Sequence, residues 1–349
     1  MAKQIRVSAD NGVTWYTLPG ASGELSQEMA SIDDTIFGQD WQSESPSIGM
    51  WSISGQAFYK GIAGYTAQVK VGGTPTSVAT QACTLVSGKT YRLNTAAQRI
   101  ISYANPVTVF DNAVDRTNEV LSIDYLNGLV TFKGTYTVVG PVTVTYFYVP
   151  TAALAKARTF NLNQQAAEID TTDYATAFAN GGWRTYQAGL RSVSLEIGNV
   201  WANATDFLAT LAARGLVYID VSPDNTAGNA TTELLYRGFF KYMSKNQSGN
   251  VGALEEETLN LNLFVPDGAL VATPFKWYFG SAVGISPAVK ICLEAWQNGT
   301  SIDVSYSPDG TNGKKGDAIV TEASLANTFE GQNEFSFTFK GIGALAALP

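Results

Sequence analysis

Residues 162–172 read LNQQAAEIDTT, and residues 25–35 read LSQEMASIDDT. Six of the eleven positions are identical, at a spacing of 137 residues. A second match follows directly. Gly49, Met50, Ser52, Ile53 and Ser54 fall against Gly189, Leu190, Ser192, Val193 and Ser194, now 140 residues apart, so the intervening loop has grown by three. Self-similarity that persists through two consecutive segments marks a duplicated structural unit.

The back half of the unit recurs near the C-terminus. IDVSPD (219–224) is echoed by IDVSYSPD (302–309), and each follows a helix-like segment that ends in glycine, at Gly215 and Gly299. Each is then followed by an alternating strand and a Gly-Ala-Leu, at 268–270 and 343–345. The order implies two copies of one domain. The first is discontinuous, residues 1–70 with 280–349, and the second, 157–272, is inserted within it. Residues 75–150 have no counterpart and form a separate insertion.

Periodicity assigns the elements. IRVSA and VTWYTLP flank Asn11-Gly12, the pair that supplies the positive φ angles of a tight hairpin. Trp51 to Tyr59 alternates, with Ile53 on one face and Ser52, Ser54 and Gln56 on the other. Val193 and Ile197 oppose Ser192, Ser194 and Glu196; Leu259, Leu261 and Leu263 oppose Thr258, Asn260 and Asn262; Phe335, Phe337 and Phe339 oppose Glu334, Ser336 and Thr338. Such sheets have one dry and one wet face. Helical spacing runs over 203–214, with Phe207, Leu208 and Leu211 inward, and over 287–297, where Ser286-Pro287 makes a good start and Val289, Leu293 and Trp296 the buried stripe. Residues 75–150 break into short β-rich runs with turns at Ser87-Gly88, Asp111-Asn112, Asn127-Gly128 and Gly140-Pro141, the spacing of a small all-β sandwich that decorates the core. Pro150 and the TAALAKA after it read as a linker. The expected fold class is mainly β.

Composition narrows function. At 349 residues, with 45% hydrophobic and 15% charged side chains, the chain can bury two or three cores. A net charge of −8 argues against a partner gripped through phosphates, and the adjacent pair Lys314-Lys315 reads as a solvated loop tip. There is no histidine, which removes Ser-His and Cys-His nucleophile pairs and the commonest metal ligand. Cys83 and Cys292 make no metal-ligand spacing and read as buried free thiols. Asp33-Asp34, Asp170 and the run 255–257 are the carboxylates that a glycosidase-like pair would need, yet acidic residues on solvated faces require no such role. Neither a signal peptide nor an apolar run long enough for a membrane helix is evident. The expectation is a non-enzymatic protein without cofactor or metal, made in a cytoplasm. Its repeated polar sheet face is either the outside of a sandwich or the wall of a water-filled pore.

In this light the sequence resembles the major tail tube proteins of long-tailed bacteriophages. The resemblance rests on TWYTLPGASGELSQ (14–27), the paired LSQEMASID and LNQQAAEID strands, SIDYLNGLVTFKGTYTVVGPVTVTYFYVP (122–150) and FEGQNEFSFTFKGIGAL (329–345), and it covers most of the chain. It implies duplicated tail-tube β-sandwich or barrel domains, each with a flanking helix. Four strands per domain would join a barrel around a lumen closed by six domains, hence homotrimeric, pseudo-hexameric rings of about 24 strands stacked into a tube. Glu196, Asn260, Asn262, Glu334, Ser336 and Thr338 would line the lumen. Trp41, Phe178 and Trp183, in the loops 36–49 and 173–189, would anchor ring stacking. Implied partners are further copies of the chain, the tape measure protein, the tail terminator and the tail-tip or baseplate proteins, in the virion tail, with DNA passing through unbound. A monomeric capsid or baseplate decoration protein is the alternative.

Overall fold

The computed structural model describes residues 3–20, 22–36, 41–59, 68–154, 157–173, 175, 179, 182–200, 215–223, 234–248, 256–265, 275–279, 285–328 and 333–348. In chain order the strands begin with β1 (Gln4–Ser8), β2 (Tyr16–Thr17), β3 (Gly23–Asp33), β4 (Glu44–Tyr59) and β5 (Gln68–Gly72). The expected insertion contributes β6 (Thr76–Ser87), β7 (Thr90–Leu93), β8 (Thr108–Asp111), β9 (Val114–Asp115), β10 (Val120–Asp124), β11 (Leu129–Phe132) and β12 (Val142–Tyr148). After it come β13 (Thr151–Ala153), β14 (Ala157–Asp170), β15 (Tyr186–Val200), β16 (Leu216–Ser222), β17 (Leu234–Ser248), β18 (Glu256–Leu263) and β19 (Phe275–Phe279). Helix α1 (Pro287–Asn298) precedes β20 (Ser301–Ser307), β21 (Lys314–Thr328), β22 (Asn333–Gly341) and β23 (Ala346–Ala347). The fold is mainly β, in large antiparallel sheets.

Contacts divide the chain into two compact units. The first comprises Met1–Tyr65, Thr159–Ser194 and Ala282–Pro349. The second comprises Thr66–Arg158 and Leu195–Ser281, so the second sequence copy is divided between units within β15.

In the first unit β3, β4, β22, β21 and β14 pair in that order, and registry sorts their side chains. Leu25 lies opposite Ile53, Ile53 opposite Phe339 and Phe339 opposite Val320, while Phe335 stands between Ala57 and Leu325, and Leu325 opposite Leu162. These rows make the dry face, on which Phe335, Phe337 and Phe339 are buried and stacked in series. Trp51 is buried on the same face and donates its indole N–H to the Gly343 carbonyl at 2.8 Å. A Cβ at Gly341 would stand 2.1 Å from that ring, so only glycine fits there. Helix α1 begins as the sequence specifies. Ser286 Oγ accepts from the Ala288 N–H, Pro287 occupies the first turn, and Gly299 at φ 70° ends the helix with its N–H on Ala295 O. Ala288, Val289, Cys292, Leu293 and Trp296 are its buried side.

In the second unit the seven strands of the insertion run β10-β11-β7-β6-β12-β8-β9. Their core does not close on itself: Tyr218 of β16 and Phe239 of β17 are buried in it with Leu93, Ile101 and Tyr146, and Phe264 packs against Tyr103. The TAALAKA segment is therefore more than a linker. Thr151–Ala153 is a strand on β5, β5 in turn pairs with β16, and Leu154 is buried. The backbone of Thr151–Ala153 makes ladder hydrogen bonds to β5 that a free connector would leave to water. Asp220 and Arg237 form a buried ion pair at 3.1 Å, with the Tyr218 hydroxyl also on Asp220.

Each unit separately repeats one topology. A seven-residue strand (β16 or β20) pairs with the first half of a fifteen-residue strand (β17 or β21). Along its opposite edge the long strand takes β18 or β22, with a bulge at Met243 or Thr321, and its start takes β19 or β23. The IDVSPD and IDVSYSPD echoes begin in β16 and β20, so the sequence repeat coincides with a repeat of strand pairing.

Candidate functional site: a polar sheet face and two projecting hairpins

The reverse of the first unit's sheet is polar, and a single register row crosses it. Glu24 stands opposite Ser54, Ser54 opposite Thr338, Thr338 opposite Glu322 and Glu322 opposite Gln165. Thr338 donates its hydroxyl to Glu322 at 3.2 Å, and in the neighbouring row Ser336 lies between Gln56 and Ser324. Glu24, Glu28, Glu322 and Glu334 make the face acidic. Lys340 at its border is held by Glu168 at 3.3 Å and lies over the Tyr186 ring. Ser22, Glu24, Ser54, Gln56, Ser336 and Thr338 line a shallow open depression there.

Glu334, Ser336 and Thr338 lie together on the wet side, half-buried, with the phenylalanines behind them. In the second unit Thr258, Asn260 and Asn262 oppose Asn246, Ser244 and Lys241, and Asn260 donates to Ser244 at 3.0 Å, while Leu259 and Leu261 are buried beneath. Glu196 is exposed between buried Leu195 and Ile197. Registry also settles β3 and β14, whose facing periodicity leaves open: Ser26 pairs with Ser52 on the polar side, and buried Leu162 and Gln164 leave Asn161, Asn163 and Gln165 on it.

Two hairpins, β3–β4 and β14–β15, extend beyond the core. Residues 27–36 are exposed on both faces of their strand, and Met29, Ile32, Ile36 and Trp41 are exposed apolar side chains. Sequence spacing places a loop over 36–49, whereas β4 starts at Glu44 and pairs with Asp33, which lengthens the arm. Trp41 is 86% exposed. Trp183 is half-buried: its ring covers Gly49, whose N–H donates to Gly182 O at 2.7 Å and whose carbonyl accepts from Arg184 N–H at 2.9 Å. Phe178 and the expected helix 203–214 lie outside the described residues.

Of the carboxylates weighed for acid–base work, Asp33, Asp34 and Asp170 are held in the wrong direction for a general acid, Glu257 is buried in an ion pair with Lys245 at 2.6 Å, and Glu255 lies outside the described residues. The Thr35 hydroxyl and amide lower Asp33, the hydroxyls of Ser43 and Ser45 lower Asp34, and the hydroxyl and amide of Thr172 lower Asp170, so all three stay ionised. Among the described residues no group of three or more His, Cys, Asp or Glu is placed to hold a metal ion, and no helix is long and apolar enough to cross a membrane. Cys83 and Cys292 are free thiols, raised by burial, Cys83 to about 12. No protein-family model and no curated protein matches the chain.

Proposed function

We propose that the protein is a structural virion protein of a phage tail, polymerising as trimeric, pseudo-hexameric rings stacked into a tube whose polar, acidic lumen conducts DNA. The observation that carries this reading is an edge occupied within the chain and left open at its equivalent. On β21, β20 takes the first half of one edge and β14 the second, with Leu162 opposite Leu325 and Gln165 opposite Glu322. On β17, β16 takes the corresponding first half, and among the described residues no strand pairs with residues 243–248 on that edge. Among the described residues β3, the sequence counterpart of β14, pairs on one side alone, with β4.

An eleven-residue open edge is an aggregation hazard that native sheets normally blunt or cover. Placing β3 of one copy on β17 of the next repeats the internal junction head-to-tail, and a heterologous contact of that kind closes into a ring when its rotation permits. The wet faces then become continuous. Carboxylates and uncharged polar groups repel or ignore phosphate, so a nucleic acid would slide instead of binding. A tail-tube role further implies contacts with tape measure, terminator and tail-tip proteins.

Light-scattering mass at rising concentration tests the reading. Mass rising from one copy to three and then to long polymers supports it. A single copy at every concentration, unchanged by a tail-tip preparation, favours the decoration protein.

A further inference from the structure

The two hairpins share a hydrogen-bond lattice that aligns them atom by atom. In the first, Thr35 N–H donates to Asp33 Oδ1, Ser43 N–H to Thr35 Oγ1 and Asp34 N–H to Ser43 O. In the second, Thr172 N–H donates to Asp170 Oδ1, Thr185 N–H to Thr172 Oγ1 and Thr171 N–H to Thr185 O. Thr35 thus corresponds to Thr172 and Ser43 to Thr185. Counting back, Gln42 corresponds to Arg184, and each reaches the equivalent aspartate, at 3.5 and 3.2 Å. One residue further, Trp41 corresponds to Trp183.

Trp183 has a seat, and among the described residues Trp41, 86% exposed, has none. Trp183 covers Gly49, where an added Cβ would come within 3.2 Å of the indole. The repeat of GMWSIS as GLRSVS makes Gly189 the counterpart of Gly49, and Leu190 the counterpart of Met50. The occupied seat is covered, with Met50 half-buried; at the other, Leu190 is 90% exposed and Ile169 beside it is exposed as well. An unused tryptophan and an uncovered glycine seat are therefore left over, on equivalent hairpins of one chain.

We infer that Trp41 packs on Gly189 of a neighbouring copy in the same ring, repeating the Trp183–Gly49 contact between chains. The inference rests on the self-assembly reading and changes the role that the resemblance gives Trp41: it is a lateral clasp within a ring, not an anchor between rings. Gln42 N–H would then donate to the Gly189 carbonyl, as Arg184 N–H does to Gly49. The occupant is specified by the chain itself, since Trp183 on Gly49 is the same pair of surfaces already in contact.

The test compares Trp41→Ala, Gly189→Val and the double variant for monomer stability by chemical denaturation and for assembly threshold by light scattering. Trp41→Ala should leave the denaturation midpoint unchanged and raise the threshold by roughly tenfold or more, as loss of a central aromatic anchor does. Gly189→Val should raise the threshold likewise, and because its new Cβ meets Ile169 at 3.0 Å and the Ala167 carbonyl oxygen at 3.2 Å its denaturation midpoint should fall somewhat, so Trp41→Ala is the variant that separates assembly from monomer stability. The double variant should be no worse than either single one, because both break one contact. Wild-type assembly with an unchanged threshold in Trp41→Ala, or thresholds that multiply in the double variant, would overturn the clasp and leave the tube reading standing. A wild-type protein that never assembles would sink both.

Discussion

Replacing Phe337 by alanine tests which face of the β22 sheet is the core. Phe337 is 1% exposed and stacks between Phe335, at 6.0 Å between centroids, and Phe339, at 6.2 Å. Truncating a buried phenylalanine costs about 3–5 kcal/mol, transfer and cavity together. Losing two ring pairs, each contributing about 0.5–1.5 kcal/mol, places this site in the upper half of that range. With an m-value of about 1–3 kcal/mol/M in urea, a loss of about 4 kcal/mol moves the first unit's midpoint down by roughly 1.3–4 M. Ser336→Ala, one residue away on the wet face, should stay within about 0.5 kcal/mol. Urea titration of both variants by circular dichroism decides. A cost below about 1 kcal/mol at Phe337 with a larger one at Ser336 would mean the register is reversed, and every lumen assignment with it.

Other parts of the molecule give independent outcomes. Asp303 faces Asp317 across β20–β21, and burial together with that carboxyl pushes Asp303 up to about 6, against the pull of Lys315 and with a further push from Asp10. A raised acid holds its proton more tightly when folded, so its contribution is complete below about pH 4 and is lost as pH rises through about 6. Asp317→Asn should flatten that fall in thermal midpoint between pH 4 and 7; an unchanged slope would contradict it. Arg237→Ala strands the buried Asp220 and should cost the second unit about 3–5 kcal/mol by denaturant titration, and a loss below about 1 kcal/mol would show that water reaches the pair. Deleting residues 75–150 should leave the second unit binding a hydrophobic dye, because Tyr218 and Phe239 lose their cover. A deletion variant with native dye binding and normal assembly would restore the insertion to mere decoration.

The wet and dry faces were legible because strand periodicity is rigid: once Phe335, Phe337 and Phe339 are inward, Glu334, Ser336 and Thr338 have no other side to take. Helix α1 was legible from Ser286-Pro287 and Gly299, whose roles at helix ends are local. The facing of β3 and β14 was not, because polar residues occupy both of their sides and only pairing with Ile53 and Leu325 decides. TAALAKA misled for a related reason. Its small side chains carry little β signal, and its strand exists through backbone bonds to β5, a long-range partner. Trp41 and Trp183 looked alike in sequence, and what separates them is whether a glycine seat lies within reach. The lattice that equates them spans Thr35 with Ser43 and Thr172 with Thr185, across loops of unequal length, so no fixed spacing displays it.

Electron microscopy of assembled protein in projection down the assembly axis decides whether the polar sheet face encloses a channel. A tail-tube assembly would show a hollow ring of three copies, with about 24 strands around an open channel and Ser336, Thr338 and Asn260 on its wall. Compact single copies at every concentration, or a closed particle with the Glu24–Gln165 row on its outer surface, would contradict it.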